Sequence, residues 1–472
     1  MVTMLKDLKA ERGFYRALVS VSGPIMLQNF LISSLSFIDT LMIGQLGSVQ
    51  IAGVGLANQV FFLTILFFFG IGSGASIFIA QYWGKGDTAS IHAAMGVALT
   101  TSFIGAAAVS TVSMLLPHHV MSIFSTDPQV IELGASYLRI VALSYLFTSI
   151  SFIFSTSLRS MRMAKYPLVS TACSLTVNVL LNYLLIFGKF GFPAMGVRGA
   201  ALATVISRGL ELVIILSLTY GKRTPAAGVL RVFFSYDRKF VKKFFRTAFP
   251  VICNELVWSL GMVVYKIVYA RMGTEVIASA NVSEAIQSLF FVIYIGTGNG
   301  SAVLIGNKIG SREYDTARRY ARRFLLLPVL VGLFIGILMA ICAPLVTRAF
   351  NIEQEIIQIT IRSLRVLALL IPIRGLTIHL IIGVLRSGGD TTFSFILELT
   401  SVWGIGVPIV LFAGLVLNLP IYYVYLLLGF EEVFKAAAGI LRFRSGKWLN
   451  DLTEDIPPPE SQVISASGTE IP

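Results

Sequence analysis

The sequence predicts an all-α polytopic membrane protein, with twelve transmembrane helices in two pseudo-symmetric six-helix bundles that form a parallel repeat. Three observations lead there. With 56% hydrophobic and 13% charged residues and a mean hydropathy of +0.81, the chain cannot dress itself in a water-facing polar surface. Apolar stretches of about 20 residues or more, enough to cross about 30 Å of hydrocarbon as a helix, recur from Phe14 to about Phe443. Residues 24–87 and 250–313 repeat one another without a gap, 226 positions apart: Pro24/Pro250, Gly47/Gly273, Gly70/Gly296, Gly74/Gly300 and Gly84/Gly310 coincide.

The spans follow from apolar runs and the basic residues between them. The first six run approximately 15–43, 51–82, 91–116, 129–158, 166–188 and 196–219. The second six run 248–272, 276–307, 319–342, 354–385, 391–416 and 420–443. An even number puts both termini on one side. The loops of that side collect 27 Lys and Arg, including the groups before span 1, around Arg159, at Lys222–Arg246, at Lys308–Arg323 and at Lys435–Lys447. The opposite face receives four: Lys189, Arg198, Arg271 and Arg348. The positive-inside rule makes the termini cytoplasmic, in a cell (inner) membrane protein. The net charge of +13 is thereby explained, and no nucleic-acid partner is expected.

Six spans per half bring the two copies into the membrane in the same orientation, related by an axis along its normal. The expected organisation is an N-terminal lobe (1–221), a polar basic connector (222–246), a C-terminal lobe (247–448) and a Pro-, Ser- and Thr-rich disordered tail (449–472). A second echo, Ser157-Leu158-Arg159-Ser160 against Val384-Leu385-Arg386-Ser387, has an offset of 227. Glycines 70, 72 and 74, with 296, 298 and 300, mark places where helices approach closely, or hinge. Cys173, Cys253 and Cys342 lie in apolar spans without metal-ligand spacing. The charged Met1–Arg16 and the long first span do not suit a cleaved signal peptide.

A carboxylate in the hydrocarbon region costs a few kcal/mol, about 2.5–3.5 on insertion scales, so each one there points to a proton or ion relay, or to a charged substrate. Asp39 is the first, late in span 1. Asn178 and Asn182 share a face of span 5, as Thr204 and Ser207 do on span 6. With Asp39 these oxygens could hold Na⁺, or serve as hydrogen-bonding glue between helices. In the second half, Glu255, Glu284 and Glu398 are candidates for substrate binding or coupling. Lys266 lies too far along the helix from Glu255 to pair with it. Arg139, Arg208, Arg362, Arg365 and Arg374 are expected to snorkel or to pair with acids such as Glu211.

The chain carries no GxxxxGK[ST] loop, HExxH or GxSxG, so neither an enzyme nor a direct ATP-driven pump is expected. No cofactor is implied beyond a coupling ion, H⁺ or Na⁺. Duplicated lobes with buried acids make a secondary transporter the leading expectation, with small-molecule substrate and membrane lipids as its partners and a monomer as its state.

The residues also resemble a known family. Pro24, Phe37 to Gly44 with Gly47, Ile51-Ala52-Gly53-Val54-Gly55, Gln81 to Asp87, Leu158-Arg159, Asn178 to Asn182, Gly199-Ala200-Ala201, Pro250 with Asn254-Glu255, Leu385 to Asp390 and Arg444 to Trp448 are similar to the multidrug and toxic compound extrusion (MATE) transporters of prokaryotic type, over residues 10 to 450. The resemblance implies a V-shaped pair of bundles that exports cationic or amphipathic compounds in exchange for H⁺, with Na⁺ the second choice. It makes Asp39 the switching carboxylate of helix 1, and Asn178, Asn182 and Thr204 its neighbours. Some members carry an acid where Asn182 stands, so this site has one formal charge fewer. The alternative is a lipid-linked precursor flippase of a related two-lobe fold, whose cavity should present several arginines.

Overall fold

The computed structural model describes residues 2–347 and 353–454. Among the described residues, twelve membrane-crossing segments follow one another, labelled here in chain order. The N-terminal lobe holds α1 (Val2–Gly44), α2 (Ser48–Lys85), α3 (Thr88–Leu115), α4 (Pro128–Val141 and Leu143–Ser160), α5 (Lys165–Phe187) and α6 (Val197–Gly221). The C-terminal lobe holds α7 (Arg238–Met272), α8 (Thr274–Gly310), α9 (Tyr314–Thr347), α10 (Gln354–Ile378 continued by the π-turn His379–Leu385), α11 (from Thr391 to Val416) and α12 (Ile421–Arg444). Ten are long and apolar enough to span by themselves, and α4 does so as a pair bent by 48°. α12 is the twelfth. It carries Glu431, Glu432 and Lys435 in its middle, each neutralised by a partner described below. Lys435 therefore belongs inside a span, not among the loop residues where its position near the chain's end had put it.

The repeat is visible in the backbone. Gly47 and Gly273, at equivalent positions, precede α2 and α8 with φ of +129° and +140°, a region that side chains rarely adopt and glycine enters freely. Pro24 and Pro250 sit inside α1 and α7. α11 contains two π-helical turns, Val402–Gly406 and Phe412–Val416, local departures that α-helices commonly make at working positions.

The lobes meet through α1, α2, α7 and α8, and every close approach there has a mirror image. Gly70 faces Ile252 as Gly296 faces Met26; Gly74 faces Ala248 as Gly300 faces Ser22; Gly84 faces the Asn307 backbone as Gly310 faces that of Gln81. Each pair maps onto its mate by a shift of 226. A Cβ at any of these glycines would collide with the opposite lobe, so their common role is to let two backbones touch. All lie in the half of the bundle nearer the termini. Gln81 and Asn307 complete the seam: the Gln81 amide donates to the Ser387 and Asn450 carbonyls at 2.9 and 3.2 Å and accepts from Leu452 N at 2.7 Å. Asn307 donates to the Ala80 and Ser160 carbonyls at 2.9 and 3.2 Å and accepts from Arg162 Nε at 2.6 Å.

Beyond α12 the chain continues as a strap. Trp448 is buried, Leu449 bridges to Gly389, and Leu452 and Thr453 accept from Lys243 and Lys85 at 2.7 and 2.9 Å. Residues 449–454, which composition had placed in the tail, thus tie the C-terminal lobe to the end of α2. The rest of that tail, 455–472, lies outside the described residues.

Candidate functional site

Asp39 lies in the last two turns of α1, which ends at Gly44, on the face of that helix that packs on α5. Its Oδ1 accepts from Asn182 Nδ2 at 2.7 Å, and the same amide donates to Asn178 Oδ1 at 3.0 Å. The i,i+4 spacing that puts both asparagines on one helix face is what makes this possible. Both are almost fully buried, whereas Asp39 is partly so. Asn182 Oδ1 accepts no hydrogen bond among the described residues, unlike the other oxygens of the pair of asparagines. Thr204 does not join the cluster: its hydroxyl donates to the Ala200 carbonyl of its own helix at 3.0 Å and neighbours the Tyr137 hydroxyl.

Asp39 also lies near the guanidinium of Arg208, which opens a larger network. Arg208 Nη1 pairs with Glu211 Oε2 at 2.7 Å, as sequence spacing suggested. Glu211 Oε1 accepts from Thr171 at 2.9 Å, Thr171 accepts from Gln28 Nε2 at 2.9 Å, and Gln28 Oε1 accepts from Arg159 at 3.1 Å. With every group ionised, Asp39 and Glu211 balance Arg208 and Arg159. This chain of polar residues forms one wall of a cleft between the lobes, with an empty volume of about 1310 Å³ including its open part. Phe61, Phe69, Phe152, Ile65 and Ile77 supply its apolar lining; Asn299 and Ser387 come from the other lobe. The glycine seam closes it on the termini side.

The C-terminal acids are not gathered into one site. Glu255 pairs with Arg386 Nη2 at 2.7 Å near the seam; Glu284 pairs with Lys266 at 2.9 Å, both more than half exposed. Glu398 is buried and pairs with Lys435 at 2.9 Å. Lys435 also pairs with Glu431 at 2.7 Å, whose other oxygen accepts from Tyr265 at 2.7 Å. Thr377 and Arg374 hold Glu432. His379 of α10 is fully buried and satisfied by Gly375 O and Thr297.

Repeat arithmetic relates the two polar clusters. Tyr265 is Asp39 shifted by 226; Lys435, Glu398 and Glu431 are Arg208, Thr171 and Thr204 shifted by 227. Each lobe thus sets a cation at the same place, Arg208 partly exposed and Lys435 buried, with its carboxylates on different helices. Tyr137, Arg159, Gln28, Thr171, Glu431 and Lys435 were not singled out by the sequence as site residues. Applying the duplication beyond the first two helices of each half would have found Lys435 opposite Arg208.

Comparison with known proteins agrees with this architecture. The MatE family model matches residues 24–184 and 250–424. "Probable multidrug resistance protein YoeA" of Bacillus subtilis is 25% identical, covering 86% of this chain and 88% of that protein. "Probable multidrug resistance protein NorM" of Thermotoga maritima is 26% identical, covering 92% and 93%. Among solved structures, a variant of the Vibrio cholerae MATE transporter VcmN superposes with a TM-score of 0.84 at 17% identity over 93% of this chain and 98% of that one. A MOP superfamily transporter from Pyrococcus furiosus, described as having a binding pocket of reverse polarity, gives 0.79 at 22% identity over 91% and 95%.

Proposed function

Since the chain belongs to the MatE family and is a multi-pass membrane transporter, not an enzyme, we propose that it is a monomeric antiporter exporting cationic or amphipathic organic compounds from the cytoplasm in exchange for H⁺. The observation that carries this reading is the hydrogen-bonded carboxylate of Asp39 beside Arg208, a cleft-lining residue. The network is neutral while Asp39 is ionised and gains one positive charge when Asp39 is protonated. In a low-dielectric wall that added charge repels a cation bound in the cleft, so proton entry and cation release favour one another. Differential affinity of this kind couples two fluxes without covalent chemistry.

One carboxylate flanked by two carboxamides, one of which turns its N–H₂ toward Asp39, supports H⁺ over Na⁺, which asks for several oxygens. With the termini cytoplasmic by the positive-inside rule, the sealed seam makes this an outward-facing form. Dye efflux from vesicles under an imposed pH or Na⁺ gradient tests the reading: gradient-driven efflux should vanish in Asp39→Asn, and a cationic dye should bind it more weakly and without pH dependence, since the neutral amide leaves the network one positive charge up. Efflux equal to wild type would remove Asp39 from the mechanism.

A second reading has one observation in its favour. Arg159 and Arg208 line the cleft against the single carboxylate of Glu211, a polarity that suits an anionic headgroup and hence a flippase. Vesicles loaded with a labelled lipid-linked diphosphate sugar decide between them, because only a flippase would expose that label to an external quencher.

A further inference from the structure

The termini face of the C-terminal lobe carries a second pocket, walled by Arg318 and Arg322 of α9, Arg444 at the end of α12, Gly446, and the stacked rings of Phe443 and Trp448. Arg318 and Arg322 are one turn apart, so both guanidinium groups project from one face of α9. Arg318 has the carboxylate of Asp315 near it, at 4.0 Å. Arg322 and Arg444 have no ion pair among the described residues.

The N-terminal lobe shows what ordinarily fills this place. His92 and Gly96, the residues equivalent to Arg318 and Arg322 by the 226 shift, are covered by the connector. His92 Nε2 bonds to the Pro225 carbonyl at 2.9 Å, and Gly96 packs on the backbone of Phe233. In the C-terminal lobe the described part of the corresponding segment, 448–454, leaves instead for the N-terminal lobe, where Leu452 and Thr453 meet Gln81 and Lys85. Among the described residues the position is left open, and arginines stand in the place of histidine and glycine.

We infer that this pocket binds the phosphate of an anionic phospholipid headgroup, with the acyl chains lying along α9. What points to a lipid is the continuation of the arginine face. Stepping from Arg322 along the helix, Leu326, Leu330, Phe334 and Ile337 succeed one another at four- and three-residue intervals, all 61–70% exposed. A stripe of that kind is an acyl-chain track, and a basic pocket at its end, where membrane helices meet the aqueous phase, is where a phosphodiester sits. Guanidinium groups suit it because they present paired donors to phosphate oxygens. Trp448 opens the strap that crosses to the N-terminal lobe, so the bound lipid also braces the strap's root.

The test uses the purified full-length chain in neutral detergent, with the melting temperature followed during titration by short-chain phosphatidylglycerol, phosphatidylcholine or inorganic phosphate. Phosphatidylglycerol should protect and the other two should not. The exposed double substitution Arg322→Gln/Arg444→Gln should raise the phosphatidylglycerol concentration for half-protection by about thirty-fold, from the contribution of two arginines near a charged lipid. Arg238→Gln, an exposed basic residue on the same side, should leave it unchanged. Equal protection by the two lipids, or wild-type affinity in the double variant, would overturn the inference. Equal protection by inorganic phosphate would make this a soluble-anion site. Much tighter lipid binding by a chain ended at Glu454 would make the acidic segment 455–472 the occupant instead.

Discussion

Gln81 offers the sharpest test of how the lobes are held. It is fully buried, and its side chain makes three hydrogen bonds, to Ser387 O, to Asn450 O and from Leu452 N. At about 1 kcal/mol net for each, Gln81→Ala removes about 3 kcal/mol from the sealed state. The partners left behind find water only if the lobes part, so the loss falls on the sealed form. Converted at about 1.4 kcal/mol per decade, the ratio of parted to sealed molecules rises about a hundredfold. Ser22 is a suitable reporter: it is fully buried, and its Oγ lies against Gly300 across the seam. In a background with Cys173, Cys253 and Cys342 changed to serine, a Ser22→Cys chain should react with maleimide slowly, and about a hundredfold faster with Gln81→Ala. Asn307→Ala, which removes three bonds across the seam at the equivalent position, should accelerate labelling to a similar degree. An unchanged labelling rate in folded Gln81→Ala protein would refute the claim that this seam governs opening.

Three further outcomes follow from the same geometry. Gly84→Ala and Gly310→Ala each push a methyl group into the opposite backbone, so both should raise labelling in the Ser22→Cys chain, and similarly, because the contacts are symmetry mates. Lys435→Met strands Glu398 and Glu431 in the lobe interior and should cost about 3–5 kcal/mol, read as a lowered melting temperature; adding Glu398→Gln and Glu431→Gln should restore most of it. Tyr265→Phe, at the position equivalent to Asp39, removes one hydrogen bond to Glu431; it should cost about 1 kcal/mol of stability and leave gradient-driven efflux intact, unlike Asp39→Asn.

The architecture was legible because it rests on features that sequence carries directly. Span length, basic loops and the 226-residue duplication need no knowledge of packing, and the repeated glycines mark the very contacts that join the lobes. The contact of Asp39 with Asn182 was legible for a similar reason, since two asparagines four residues apart on an apolar helix must face a common polar partner. Partners within the second lobe were harder to read. Glu398 and Lys435 are 37 residues apart on different helices, and only the crossing of α11 with α12 brings them together. Lys435 sits near the chain's end among basic residues, so composition assigns it to a loop; its two carboxylate partners are what allow it inside the span. Thr204 shows the opposite limit: spacing places it on the right helix, but its hydroxyl bonds back to the Ala200 carbonyl one turn earlier in that same helix.

The duplication also bears on why one lobe rather than both would carry the coupling step. Identical lobes would offer identical sites, yet the seam is what has stayed symmetric and the interiors are what have diverged. In the N-terminal lobe the half-buried cation, Arg208, borders the cleft, and one of its carboxylates, Asp39, comes from a different helix with a partly exposed side chain. In the C-terminal lobe the equivalent cation, Lys435, is enclosed by Glu398 and Glu431, with Tyr265 in Asp39's place contributing a hydroxyl that stays neutral. A group that exchanges protons with the medium needs a path to it, and a group that braces a helix pair needs none. The first lobe carries a partly exposed carboxylate where the second carries a phenol. On the proposed mechanism, then, protons act on α1 and its contact with α5, while the C-terminal lobe supplies the rigid face against which that movement opens or closes the glycine seam.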